Sequence, residues 1–246
     1  MRAITLLTDF GTADYFVGAM KGVILSINPQ AVIVDITHEI PAQDVAAGAF
    51  QLLAAYDTFP SGTIHVAVVD PGVGSSRRPI VVAAGNYFFV GPDNGIFTHI
   101  YDRNPSFQAF HITDEEFFRH PVSNTFHGRD IFAPVAAALS TGVDSSSLGP
   151  RISDPIPLFK SAKPQVIHID HFGNLITNIT REQFKEGTTL SVNGTAIRAL
   201  RKFFGEQMGE EPFAIWGSTG FLEIAVNGRS AAEILGVKLG DRITLI

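Results

Sequence analysis

The apolar positions change period repeatedly along the first 140 residues. Ala3–Leu7 is a short, mostly apolar run that ends in Thr8-Asp9. In Tyr15–Ile27, Phe16, Ala19, Met20, Val23, Ile24 and Ile27 recur at a helical spacing of three and four, until Pro29 stops the pattern. Ala31–Ile36 is β-branched and contains Asp35. Asp44–Tyr56 returns to the helical period, with Val45, Ala49, Leu52 and Leu53 on one face and Asp44 placed to cap it. Thr63–Val69 is a third strand that runs into Asp70. Ile80–Ala84 and Tyr87–Val90, joined at Gly85-Asn86, read as a hairpin. Phe107–Ile112 is a further strand and Ile131–Ser140 an Ala-rich helix. Near-continuous apolar strands alternating with helices predict an α/β domain around a mostly parallel sheet covered on both faces.

The texture changes at Thr141–Pro164, where Ser145-Ser146-Ser147, Pro150, Pro155, Pro157 and Pro164 cluster. Beyond it the runs are short and strand-like: Gln165–Ile169, Asn174–Asn178, Thr188–Val192, Thr195–Leu200, Ala214–Trp216, Phe221–Val226 and Arg242–Ile246. Asn193-Gly194 marks a two-residue hairpin turn. Short strands with tight turns predict a small all-β, barrel-like C-terminal domain. The expected organisation is therefore a domain at 1–150, a linker at 151–164 and a domain at 165–246.

Composition narrows the function. Among 246 residues, 24 Asp and Glu outweigh 18 Lys and Arg, and no basic run is present. That argues against nucleic acid as a partner, because such binding rests on phosphate neutralisation. Charged residues make up 17% and there are 20 Phe, against roughly 25% charged in an average domain. Uncharged stretches such as Pro79–Pro92 are broken by Gly and Asn and fall short of the ~20 residues of a spanning helix. The expected home for the surplus apolar surface is an interface between subunits. With no Cys, thiol chemistry and thiolate metal sites are excluded. Met1–Asp9 lacks the longer apolar core of a signal peptide, which predicts a cytoplasmic address.

Sites in open α/β sheets form beyond the carboxyl ends of strands. Asp9 and Asp70 stand at two such ends, and Asp70 opens the turn Asp70-Pro71-Gly72-Val73-Gly74. His127 and Arg129 sit in a polar loop before a helix, and Asp130 is placed to cap that helix. Spacing alone leaves open a metal cluster of Asp9, Asp70 and His127. Asp170-His171-Phe172-Gly173-Asn174 is a turn offering a carboxylate, an aromatic face and an amide. Gly217-Ser218-Thr219-Gly220 is a second tight turn whose N–H groups suit a carboxylate.

Seven segments in register carry a resemblance: Leu7–Gly11, Ile33–Ile40, Val69–Gly74 with Arg77-Arg78, Gly91–Gly95, Thr125–Asp130, Phe172–Asn174 and Leu222–Asn227. Together they resemble the S-adenosyl-L-methionine hydrolase family, also called SAM hydroxide adenosyltransferases, relatives of the fluorinating and chlorinating enzymes. The resemblance implies hydrolysis of S-adenosyl-L-methionine (SAM) to adenosine and methionine, with no metal or other cofactor. It implies a reactive set of Asp70, Arg77 and His127, with Arg77 chosen over Arg78 as the first Arg of the pair. It gives Asp9 the ribose hydroxyls, Asp170 and Asn174 the methionine end and adenosine, and Phe172 an aromatic wall. It places Ser218 and Thr219 at the substrate carboxylate, and Asn227 along adenine. It further implies a homotrimer with sites at subunit interfaces. Where the halogenating branch holds halide with hydroxyls, this chain has Val73, Gly128 and Asp70, and an acid repels a halide. Two other readings fit the residues taken alone: a non-catalytic nucleoside sensor, and a metal-dependent phosphohydrolase using Asp9, Asp70 and His127.

Overall fold

The computed structural model describes residues 2–185 and 187–246. The chain divides into two compact units, Met1–Leu158 and Phe159–Ile246.

In the first unit the elements run β1 (Ile4–Thr8), α1 (Phe16–Ile27), β2 (Ile33–Thr37), α2 (Val45–Ala55), β3 (Ile64–Val68), β4 (Pro79–Ala84), β5 (Tyr87–Pro92), α3 (Thr98–Arg103), β6 (Gln108–His111), α4 (Ala133–Ser140) and β7 (Arg151–Ile152). The strands form one sheet in the order β2-β1-β3-β5-β4-β6-β7. β1 pairs in parallel with β2 and β3, and β3 with β5, whereas β4–β5, β4–β6 and β6–β7 are antiparallel. The sheet is therefore mixed, not mostly parallel as the alternating pattern predicts. The tight turn at Gly85-Asn86 reverses the chain, and β6 and β7 then continue on the antiparallel side. β7 lies inside the stretch whose composition suggests a linker. The Ile156 N–H also donates to Asp93 Oδ1 at 2.7 Å and the Leu158 N–H to Thr98 Oγ1 at 2.7 Å.

Alternation along the strands sorts the two faces. Ile4, Leu6, Val66 and Val68 join Met20 and Ile24 of α1 and Ala133, Ala136 and Ala137 of α4 in one buried cluster. Leu7 and Val69 meet α2 instead, close against Gly48. Asp44 caps α2 as expected, its side chain accepting from the Ala47 N–H at 2.9 Å. From β1 the chain leaves to β2 on one side and returns to β3 on the other. The crevice outside the carboxyl ends of β1 and β3 is therefore the switch point where open sheets bind ligands.

The second unit holds β8 (Val166–Ile169), β9 (Leu175–Thr177), β10 (Leu190–Val192), β11 (Thr195–Ile197), β12 (Leu200–Arg201), β13 (Phe213–Trp216), β14 (Leu222–Ala225), α5 (Ala231–Leu235) and β15 (Thr244–Leu245). Five strands make one sheet, β12-β13-β14-β9-β8, and three another, β11-β10-β15. The unit is β-rich but not all-β, since α5 is capped by Ser230 and packs Ala231 and Leu235 into the core. Its two sheets are joined by an antiparallel bridge between Gln165 and Arg242 and by the Val166 N–H, which donates to the Asp241 carbonyl at 2.9 Å. The β10–β11 turn is the predicted one, with Asn193 at φ 46° and Gly194 at φ 79°. Among the described residues no helix is long and apolar enough to cross a membrane.

Candidate active site

In the first unit the loop after β3 and the loop before α4 bring three predicted residues into direct contact. Arg77 Nε donates to Asp70 Oδ1 at 2.9 Å and Oδ2 at 3.1 Å, and its Nη2 donates to Oδ2 as well. Nη2 also lies 2.8 Å from His127 Nδ1. The side chains of Asp70 and Arg77 are only 5% and 8% exposed. Behind them the Arg77 guanidinium carbon stands 5.2 Å from the centre of the Phe132 ring, and Nη1 is buried without a hydrogen-bond partner. Arg78 takes a different path, to Asp93 and Asp154. The first Arg of the pair thus serves the Asp70 cluster and the second ties the first unit together.

A guanidinium only donates, so His127 Nδ1 must accept from Arg77. That assigns the neutral ring its proton at Nε2. Burial and then the Arg77 charge hold the imidazole pKa below its ordinary value, against the smaller pull of Asp70 and Asp130. The two loops approach closely only because residue 74 is glycine. Gly74 has φ +77°, and a Cβ there would strike the Asn124 carbonyl.

Asp9 follows β1 on the same edge of the sheet, one strand from Asp70. Its Oδ2 accepts from the Gln43 N–H at 2.8 Å, and Gln43 holds a left-handed φ of 66°. Thr8, just before it, meets His38 Nδ1 at 2.9 Å and accepts from the Phe10 N–H at 3.2 Å. His38 Nε2 lies 3.1 Å from Asp35 Oδ1 but makes no aligned hydrogen bond. Among the described residues no group of three or more His, Asp or Glu is arranged to hold a metal ion. Asp9, Asp70 and His127 therefore do not form a ligand set.

The structure does not use Asp130 as a helix cap. The chain forms a π-helical turn over Gly128–Phe132 before α4, with His127 at its N-terminal boundary. Asp130 lies inside that turn, fully buried, and accepts from Arg129 Nε at 2.7 Å, the Ser123 N–H at 2.9 Å and Arg119 Nη1 at 3.2 Å. An acid before an apolar run carries the same sequence signal whether it caps a helix or is swallowed by a wider turn.

In the second unit Asp170 organises its own turn. Oδ1 accepts from the Phe172 N–H at 2.9 Å and the Asn174 N–H at 2.8 Å, and Oδ2 accepts from Asn174 Nδ2 at 2.8 Å. Gly173, at φ +82°, lies so close to Ser230 that a Cβ would clash. The turn leaves Phe172 74% exposed, so it is no core residue. Gly217-Ser218-Thr219-Gly220 closes through Gly217 N–H to Phe221 O at 3.0 Å and Gly220 N–H to Gly217 O at 3.1 Å. Ser218 is exposed and Thr219 Oγ1 is buried without a partner. Asn227 is exposed, and its Nδ2 donates to Gln207 O at 2.9 Å. Glu223 is a further acid beside the Gly217 turn. It points out of β14 onto Gly217, and desolvation and then the Asp170 charge push its pKa up. A lone acid between buried Leu222 and Ile224 was the available signal.

Residues 4–149 match the SAM hydroxide adenosyltransferase N-terminal domain and residues 164–244 match its C-terminal domain. The chain belongs to this family. Across its full length it is 38% identical to an (R)-S-adenosyl-L-methionine hydrolase of Thermus thermophilus, whose whole length is covered too. A fluorinase of Actinoplanes is 27% identical, over 98% of this chain and 96% of that one. The fold matches the crystal structure of an uncharacterized conserved protein from Thermotoga maritima with a TM-score of 0.92 and 37% identity, covering 99% of this chain and 100% of the other. The family's order of an α/β unit followed by a β-rich unit is the order found here.

Proposed function

We propose that the protein hydrolyses S-adenosyl-L-methionine to adenosine and L-methionine by in-line attack of water at C5′. The observation that carries this reading is the Asp70–Arg77–His127 cluster, in a chain with full-length likeness to a named hydrolase of this substrate. The sulfonium is a good leaving group, so the protein's task is to hold and orient water in a dry site. The buried Nη1 of Arg77 is a donor for the water oxygen, and His127 Nε2–H is a second. Asp70 keeps free lone pairs for the water protons. Because Arg77 occupies His127 Nδ1 and the ring proton sits on Nε2, the bonding supports Asp70 as the proton acceptor and His127 as a donor. The acid at Asp70 also disfavours a halide nucleophile.

On the substrate side, we assign Asp9 to the ribose hydroxyls and Phe172 to an aromatic wall. Asp170 and Asn174 serve the methionine end and adenosine, Ser218 and Thr219 the carboxylate, and Asn227 the adenine. The Asp170 turn and the unpartnered Thr219 hydroxyl support polar recognition there. The reaction as drawn asks for no cofactor. A homotrimer and a cytoplasmic address belong to the same proposal. Light scattering of the pure protein tests the first, and a monodisperse active monomer would refute it. The decisive experiment is chromatography of SAM incubated with the pure protein, with and without halide. Equal adenosine and methionine is the expected result. A halogenated nucleoside, or intact SAM beside retained adenosine, would overturn the assignment.

A further inference from the structure

Asp130 is a fully buried carboxylate that touches no part of the reactive cluster, and burying a charge is costly unless every lone pair is used. Here each oxygen is occupied. Arg129 reaches it from the preceding position, Arg119 from eleven residues back, and the Ser123 N–H from seven back. The Arg119 N–H in turn donates to the Asp130 carbonyl at 2.8 Å. The segment from Arg119 to Asp130 is thus closed on itself around one carboxylate. Within it, Asn124 meets the Asp70 loop at Gly74, and His127 meets Arg77. On the far side the loop is tied by the Arg129 and Asp130 N–H groups to the Phe126 carbonyl, each at 3.2 Å.

We propose that Asp130 is a positioning residue: by gathering Arg119, Arg129 and the Ser123 N–H, it fixes the loop that sets His127 against Arg77. This rests on the hydrolase reading of the Asp70–Arg77–His127 cluster. Removing a carboxylate that only stabilised the fold would lower folding stability without acting through His127. Buried ion-pair hubs trade stability for a unique conformation in some proteins, and here the conformation served is that of one imidazole.

The test is a double-mutant cycle on the full chain with SAM as substrate, reading kcat and KM by product chromatography. Asp130→Asn in the native background is expected to lower kcat by about tenfold or more with KM within about twofold. In a His127→Ala background the same change should alter kcat by less than about twofold. Arg119→Gln, which removes one donor at a half-exposed side chain, should show the same pattern at smaller size and serves if Asp130→Asn does not fold. A nitrogen NMR spectrum of 15N-histidine-labelled protein gives a readout apart from turnover. The native His127 ring should be neutral with its proton on Nε2, and Asp130→Asn or Arg119→Gln should disturb that pattern. Equal losses of kcat in both backgrounds, or an unchanged His127 spectrum, would overturn the positioning role and leave the hydrolase reading standing. A wild-type rate in His127→Ala alone would remove that reading and this inference with it.

Discussion

His65 makes the folded state sensitive to acid in a way that can be calculated. It lies on β3 with no exposed surface, its Nδ1 2.8 Å from Thr5 Oγ1. Its ring is walled by Tyr56, Phe59, Tyr87 and Phe89, with centroids 5.1 to 6.2 Å away. Nε2 has no partner. Desolvation pushes the imidazole from 6.5 down to about 3. Below pH 6.5 the unfolded chain takes up a proton that the folded chain refuses, so stability falls as pH falls, through a window from 6.5 to about 3. Each pH unit inside that window costs ~1.4 kcal/mol, and the step from pH 7 to pH 5 costs about 2 kcal/mol. His65→Asn keeps a hydrogen-bonding group near Thr5 and removes the titration. The assay is urea unfolding of both proteins at pH 7 and pH 5, at one protein concentration because association would shift apparent stability. The variant is expected to be less stable at pH 7 because it leaves a cavity. It should also lose about 2 kcal/mol less than the parent between the two pH values. Parallel losses in the two proteins would refute the argument, since all other titrating groups are shared.

Three further outcomes follow from the geometry. Gly74→Ala forces a side chain against the Asn124 carbonyl at a left-handed φ, and should cost ~1–3 kcal/mol in thermal unfolding while lowering kcat. The proposed mechanism uses the neutral form of His127, whose pKa is lowered by burial and by Arg77. The acid limb of kcat/KM against pH should therefore fall below the ordinary imidazole value, and a limb centred at 6.5 or above would contradict the assignment of His127 as a neutral donor. Phe172→Ala removes a largely exposed ring, so it should raise KM for SAM several-fold with stability within about 0.5 kcal/mol of the parent. A destabilised variant with unchanged KM would make Phe172 a packing residue instead.

Several elements of both units are legible because their signals are local. The helical spacing from Phe16 to Ile27, the Asp44 cap and the Asn193-Gly194 turn each depend on a few neighbouring residues. The sense of β6 and β7 depends on which sheet edge they meet, which no local period encodes. The Asp70 loop was readable as a turn from its Pro and Gly. The resemblance puts Arg77 rather than Arg78 in the reactive set; in the structure Arg77 bonds Asp70, while Arg78 pairs with Asp93 and Asp154. The helix-cap expectation for Asp130 fails because its partners Arg119 and Ser123 lie eleven and seven residues back in the chain. Glu223, one acid in an apolar strand, acquires its meaning only beside Gly217 and Asp170.

The π turn at Gly128–Phe132 can be restated as a question of phase. An α-helix advances about 100° per residue, and a π turn accommodates one residue more than that cadence allows. Downstream of it, Val135, Ala136 and Leu139 lie in the apolar core, while His127 stands at its N-terminal boundary. One residue fewer in this turn is a step of roughly 100° about the axis between His127 and the core face of α4. In this segment the contact of His127 with Arg77 goes together with the wider turn.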